Sequence, residues 1–210
     1  GDSDVACRTY FDFSKEKGWL CAIEQCNGSG DCRKSYAFGG TMCPSFRATR
    51  EESHTTRARA NTLRELITHP RTKKIYDQRE ILEVLDSCVS CKACKSECPS
   101  NVDIARFKAE FLQQHYDVCG VPMKAFLIAR LTEIQRLGTI LPWFYNAIVR
   151  NRMTGNMLKR ILHFAPKRTI PTLYKTTLKH WLGRYRRKNR GETVGKVFLF
   201  ADEFTNYMDV

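Results

Sequence analysis

The chain has 210 residues, 42% of them hydrophobic and 27% charged, with a formal net charge of +13. That supply of apolar residues can bury one large core or two small ones and excludes wholesale disorder. The longest apolar run, AFLIA at 125–129, falls far short of the roughly 20 residues that span a bilayer.

In chain order, the polar start Gly1-Asp2-Ser3-Asp4 has no initiator Met and no apolar signal core, and reads as the beginning of an internal fragment. Residues 4–25 alternate in places (Tyr10 to Phe13, then Trp19 to Ile23) around Gly18, which predicts a short hairpin. After Cys43-Pro44, Ser53 or Thr55 can cap a helix running through Ile67, and Pro70 ends it. A second helix is predicted over 78–87, with Ile81, Leu82 and Leu85 on one face. A third begins near Asn101, with Ser100 to Asp103 as cap and first turn and Ile104, Phe107, Lys108, Phe111 and Leu112 at helical spacing. Beyond Pro122 the pattern predicts helices over 123–137, 142–150, 156–164 and 171–185, punctuated by Pro122, Pro142, Pro166 and Pro171. Residues 197–200 (VFLF) read as a strand with nothing obvious to pair with, a second pointer to a piece of a longer polypeptide.

Charge is unevenly placed. Residues 1–120 carry 18 Lys/Arg and 17 Asp/Glu, whereas residues 121–210 carry 17 and 5, and none of the acids lies between Ile134 and Gly191. The rear half, including Arg184 to Arg190, has four readings. A solvated basic face with aromatics packed inward comes first and a membrane surface next, through basic helices bearing Trp143, Phe144, Tyr145 and Trp181. Docking on an acidic partner is a further option. Nucleic acid comes last, because no helix-turn-helix or zinc-finger pattern accompanies the charge.

Ten cysteines without a secretory signal point to metal or redox work rather than disulfides. Cys88, Cys91, Cys94 and Cys98-Pro99 form the C-x2-C-x2-C-x3-C-P run of bacterial ferredoxins, in which three thiolates wrap one cubane and the fourth serves a neighbouring cluster. A structural zinc site, which usually shows two separated C-x2-C pairs, is the disfavoured alternative. A looser copy lies upstream: Cys26 and Cys32 match the first and third thiolates, Ser29 stands at the middle one, and Cys43-Pro44 matches the terminal pair. If the C-P cysteines exchange, Cys43 completes the Cys88, Cys91 and Cys94 set. Cys26, Cys32 and Cys98 are then one ligand short, with Cys21 or Ser29 to fill the place or with no second cluster at all. Lys92, Lys95 and Arg33 lie beside ligands, as cluster-stabilising charge or as ordinary surface charge. Cys7 and Cys119 fit neither pattern and are expected to pack as small buried hydrophobes. The five histidines are scattered, and no dinucleotide-binding or hydrolytic pattern is present, so the chain alone is expected to make no bonds.

Because helices rather than hairpins separate the two loops, the expected fold is mainly α: a helical ferredoxin domain followed by a basic helical segment, with minor β at the two ends. Cys26 to Lys34, Gly40 to Phe46, Thr56 to Asn61 with Leu63-Arg-Glu65, Cys88 to Asp103 and Lys108 to Leu112 resemble the iron–sulfur part of fused FAD-linked oxidases. Those enzymes are D-2-hydroxyacid dehydrogenases of the D-lactate and D-2-hydroxyglutarate type, and the glycolate oxidase and anaerobic glycerol-3-phosphate dehydrogenase iron–sulfur subunits are similar. The resemblance implies the tail of a flavin domain at 1–25, the iron–sulfur domain at 26–120, the basic helices at 121–191 and the start of a CCG-type domain at 192–210. It also implies one or two 4Fe-4S clusters here, with FAD and substrate held outside this chain. A flavin domain, a CCG-type domain and a membrane surface or quinone-linked acceptor are the implied partners, and the implied location is cytoplasmic or peripheral at the inner face of the membrane. Within the implied site, Cys43, Cys88, Cys91 and Cys94 are the first-choice ligands, with Cys26, Cys32 and Cys98 as a possible second set. The resulting reading is an electron-transfer module. Its rival is a zinc-stabilised basic module acting on nucleic acid.

Overall fold

Trp19, Ala22 and Ile23 recur at i, i+3 and i+4, and all three are buried. The apolar run that suggested a strand therefore winds into helix α1 (Trp19–Glu24), preceded by a single helical turn at Ser14–Glu16. The described part of the expected hairpin does not form, because one helical face reaches the core better than alternate strand positions would. The structure, a computed structural model, describes residues 8–70, 76–185 and 195–209. It is mainly α, with no strand among the described residues. Residues 197–200 are extended but unpaired, with Val197 and Phe198 almost wholly exposed, and a strand without a ladder partner has nothing to hold it. Cys7 and residues 186–190 of the basic run lie outside the described residues.

The chain divides into two compact units, residues 1–120 and 121–210. In the first, α2 (Pro44–Thr49) starts on the proline of Cys43-Pro44, and α3 (Thr56–Thr68) is capped by the Thr55 hydroxyl, which accepts from the Ala58 amide at 3.0 Å. Helix α4 (Arg79–Asp86) buries Ile81 and Leu85, short α5 (Ala93–Glu97) follows, and α6 (Ile104–Cys119) buries Ile104, Phe107 and Phe111. The cap of α6 is Asp103, whose carboxylate accepts from the Arg106 amide, and not Ser100. Helices α1, α4 and α6 all pack on α3, whose Leu63 is fully buried at the centre of the core. Buried Glu110 of α6 accepts from the amides of Tyr10 and Phe11 at 2.9–3.0 Å, which fastens the leading segment to the core.

The second unit holds α7 (Met123–Ala129), α8 (Leu131–Gly138), α9 (Pro142–Arg150), α10 (Arg152–Ile161), α11 (Leu178–Arg184) and α12 (Glu203–Tyr207). The single helix expected over 123–137 breaks at Arg130. Helix α7 buries none of its residues and α8 buries only Gln135, so no shared packed stripe holds the two in line. Asn151 caps α10 through the Met153 and Thr154 amides and starts it earlier than Asn156. The Asn146 amide pairs with the backbone N–H and C=O of Leu173, both at 2.9 Å, which holds that segment extended and delays α11 to its Thr177 cap. The core is thin: Leu162 and Leu173 are buried, while Leu141, Trp143, Phe144, Met153 and Trp181 are exposed.

Candidate metal centre

Helix α4 ends at Asp86, two residues before Cys88, whose amide donates to Leu85 O at 3.0 Å. The loop then turns through left-handed conformations at Ser90 (φ 54°) and Lys92 (φ 61°) before Ala93 starts α5. Non-glycine residues pay for such backbone only where the surroundings enforce it, and alternating left-handed residues turn consecutive amides toward one concave side. Lys108 of α6 donates to Cys88 O at 2.8 Å, and Ser45 of α2 donates to Ser87 O at 2.8 Å, so two helices grip the loop. The outcome is one small cavity lined by Cys43, Cys88, Cys91 and Cys94, walled by Met42, Ile104 and Ala105.

Two helix starts face these sulfurs. Burial pushes the Cys94 thiol up, as does nearby Asp103, while the Ile104 and Ala105 amides at the start of α6 oppose it. At Cys43 burial acts the same way but loses. The Phe46 amide of α2 and the Arg59 guanidinium outweigh it and hold the thiol below its usual value. Arg59 is almost completely buried, and its guanidinium donates to Cys43 Sγ at 3.3 Å, Ser87 Oγ at 2.7 Å and Val84 O at 3.2 Å. It thereby joins α3 to both halves of the cysteine set. No short sequence motif marks Arg59. Its signal was there, since it shares a face with Thr56, Ala60, Leu63, Leu66 and Ile67, and a charged residue on a buried stripe needs a partner.

Glu97, the last residue of α5, was missed as well. Its carboxylate accepts from the Thr41 amide and hydroxyl (2.8 and 2.6 Å) and the Met42 amide (3.0 Å), clamping the segment that delivers Cys43. The Thr41 hydroxyl and then the Met42 and Thr41 amides hold its pKa below the usual carboxylate value. Arg47 donates to Gly40 O and Gly39 O on the same segment. Gly40 (φ 67°) leaves the room for this clamp, because a Cβ there would lie 2.5 Å from Glu97 Oε2.

The upstream loop repeats the backbone of the first. Gly28 (φ 78°) and Gly30 (φ 80°) stand two and four residues after Cys26, as Ser90 and Lys92 do after Cys88, and a short helical turn at Asp31–Arg33 carries Cys32 as α5 carries Cys94. Ser29 occupies the place of Cys91. Burial raises the Cys32 thiol, the Arg57 amide opposes it, and the neighbouring Cys26 and Cys43 thiols raise it further. Cys98, the residue after α5, is half-buried and does not line the Cys43 cavity, and Cys21 is exposed on α1. Of the three cations expected beside ligands, Lys92 lines the cavity, Arg33 pairs with Glu52 at 3.0 Å and Lys95 reaches Asn101 O at 3.5 Å. Cys119, expected to be buried, is exposed at the end of α6.

Residues 25–103 match the family model for the 4Fe-4S dicluster domain. Over this segment the chain is similar to iron–sulfur domains of that kind. The chain is similar over most of its length to D-2-hydroxyglutarate dehydrogenase of Escherichia coli (strain K12), 24% identical over 91% of this chain and 23% of the relative, and to that of Pantoea ananatis, 25% identical over 91% and 22%. The enzyme of the same name from Pseudomonas putida is 26% identical over 63% of this chain and 16% of the relative. The chain thus spans less than a quarter of the length of these curated relatives. No solved structure gives a significant match. Among the described residues no helix is long and apolar enough to cross a membrane.

Proposed function

We propose that the chain is the iron–sulfur electron-transfer module of a FAD-linked 2-hydroxyacid dehydrogenase of the D-2-hydroxyglutarate type. The observation that carries it is the convergence of Cys43 with Cys88, Cys91 and Cys94 on one cavity inside the dicluster segment. Four thiolates served by two helix starts and a buried guanidinium fit a cubane cluster, whose core needs thiolate ligands and gains from hydrogen bonds to its sulfurs. When bound, the cluster supplies one-electron redox chemistry at a potential set by those surroundings.

The protein's own part is to bring four sulfurs to one cavity, to shield them with Met42 and Ile104, and to place Arg59 against Cys43 Sγ, where added negative charge is stabilised. Cys26, Cys32 and Cys98 form the second candidate set. The matching left-handed positions of its loop support it, and Ser29 in place of a thiolate makes it the more labile one. Electrons come from a flavin domain on the same or a partner chain and leave through a CCG-type domain. The second unit, with exposed Leu141, Trp143, Phe144 and Met153 beside Arg150 and Arg152, suits an acceptor at an anionic membrane surface.

The test uses the whole flavoprotein, anaerobically, with a D-2-hydroxy acid as reductant. Substrate is expected to bleach first the flavin and then the cluster absorbance. In Cys43→Ser the flavin should still be reduced while electrons reach the acceptor slowly or not at all. A wild-type cluster that stays oxidised while the flavin turns over would overturn the reading. Salt-sensitive nucleic-acid binding by a colourless, zinc-loaded protein would favour the rival module.

A further inference from the structure

On the first unit, away from the cavity lined by Cys43, Asp77, His115 and Cys119 each offer a ligand atom within 4.8 Å of the others. His115 and Cys119 are four residues apart on α6, hence on one face of that helix. Asp77 arrives from the segment that leads into α4, 38 positions away in sequence. We infer that these three side chains bind a zinc-class divalent ion, with the fourth position left to water or an external ligand.

Several features prepare the site. His115 Nδ1 lies 2.7 Å from Tyr76 O, and a carbonyl can only accept, so Nδ1 carries the proton and the lone pair is on Nε2. A ligating histidine held through its other nitrogen by a backbone carbonyl is the arrangement that fixes tautomer and ring orientation for a metal. The ring is also packed. It stacks on buried Phe111 at 6.4 Å between centroids and 10° between planes, and meets Tyr116 at 5.9 Å. Tyr76, which supplies the carbonyl, is itself anchored between Trp19 (6.3 Å) and Phe111 (6.0 Å), so the residue before Asp77 is tied to the core.

The donors select the ion. One thiolate, one imidazole and one carboxylate suit zinc and its borderline neighbours, whereas calcium and magnesium take oxygen sets. Asp77 and Cys119 are exposed and His115 is half-buried, so the trio is open to an ion from solvent. A bound ion would pin the start of α4 to the end of α6. It shares no ligand with the iron–sulfur cysteines, and the inference does not depend on the electron-transfer reading.

The test is anaerobic titration of the protein as purified with Co2+, after chelator treatment to clear loosely held metal. One equivalent is expected to bind with tetrahedral visible bands and a thiolate-to-cobalt charge-transfer band. Cys119→Ser should abolish the charge-transfer band and Asp77→Asn should weaken binding by about tenfold or more, with iron and sulfide content unchanged in both. Cys91→Ser should leave the cobalt spectrum as it was. The inference is overturned if wild-type protein shows no such band, if the band survives Cys119→Ser, or if Cys91→Ser removes it, which would put the cobalt on the cluster cysteines.

Discussion

Replacing Arg59 by Met tests the buried guanidinium directly. Three donated hydrogen bonds are lost, but two acceptors keep company: the Ser87 hydroxyl still donates to Val84 O at 3.0 Å. Cys43 Sγ is the group left short, losing a charged donor at 3.3 Å. A hydrogen bond to a charged group is worth about 1.5–3 kcal/mol, and this one strengthens as the ligand set gains an electron. At about 1.4 kcal/mol per 59 mV for one electron, Arg59→Met should lower the cluster potential, with about 65–130 mV as the ceiling reached if the whole bond energy were lost from the reduced state alone. Arg59→Lys should give a smaller fall, because an ammonium keeps the charge but cannot hold three acceptors in the same fork geometry. The assay is an anaerobic redox titration followed by visible absorbance, with iron and sulfide per chain as the control for occupancy. A fully loaded Arg59→Met protein with a potential within about 20 mV of wild type would refute the argument, since that is far below the hydrogen-bond scale used.

The other expectations follow from the same framework. Gly40→Ala puts a Cβ against Glu97 at a positive φ and should destabilise the first unit by about 1–3 kcal/mol in denaturant unfolding; an unchanged midpoint would show that the clamp yields freely. Ser29→Cys supplies the missing thiolate of the upstream loop and should raise iron and sulfide per chain from about four toward about eight, whereas no gain would mean that loop is not a cluster site. Glu97, with its pKa held below the ordinary 4.5, favours the fold above that pH and loses its contribution as pH falls through the depressed value. Glu97→Gln should therefore flatten the acid limb of a stability–pH profile below about pH 4.5, and an identical limb would remove Glu97 from the account.

The cysteine run was legible because ligand spacing within one loop is local, and so were α3, α4 and α6, whose apolar stripes are long enough to declare a period. Cys43 could be assigned only through the exchange of C-P cysteines, and the cavity brings it to the three loop thiolates. Arg59 and Glu97 escaped because their partners lie at distant positions, Cys43 and Ser87 in one case and Thr41 and Met42 in the other. Distances of that kind depend on how helices pack, which no short motif records. The short segments failed for a different reason: over six residues Trp19 to Glu24 satisfies strand and helix patterns alike, and packing against α3 decides between them. At 197–200 apolar β-branched and aromatic composition suggested a strand, but pairing makes strands, and none is made there among the described residues. The trio at Asp77, His115 and Cys119 was hidden by its 38-residue gap.

The most direct test of the central claim is elemental: iron, acid-labile sulfide and zinc per chain on anaerobically purified protein. The account predicts iron and sulfide in equal amounts, about four of each for the set of Cys43, Cys88, Cys91 and Cys94, both collapsing in Cys91→Ser. Any zinc should be about one per chain and should follow Cys119 rather than Cys91. Zinc held by the cysteine run, with no sulfide in the protein, would contradict the electron-transfer account.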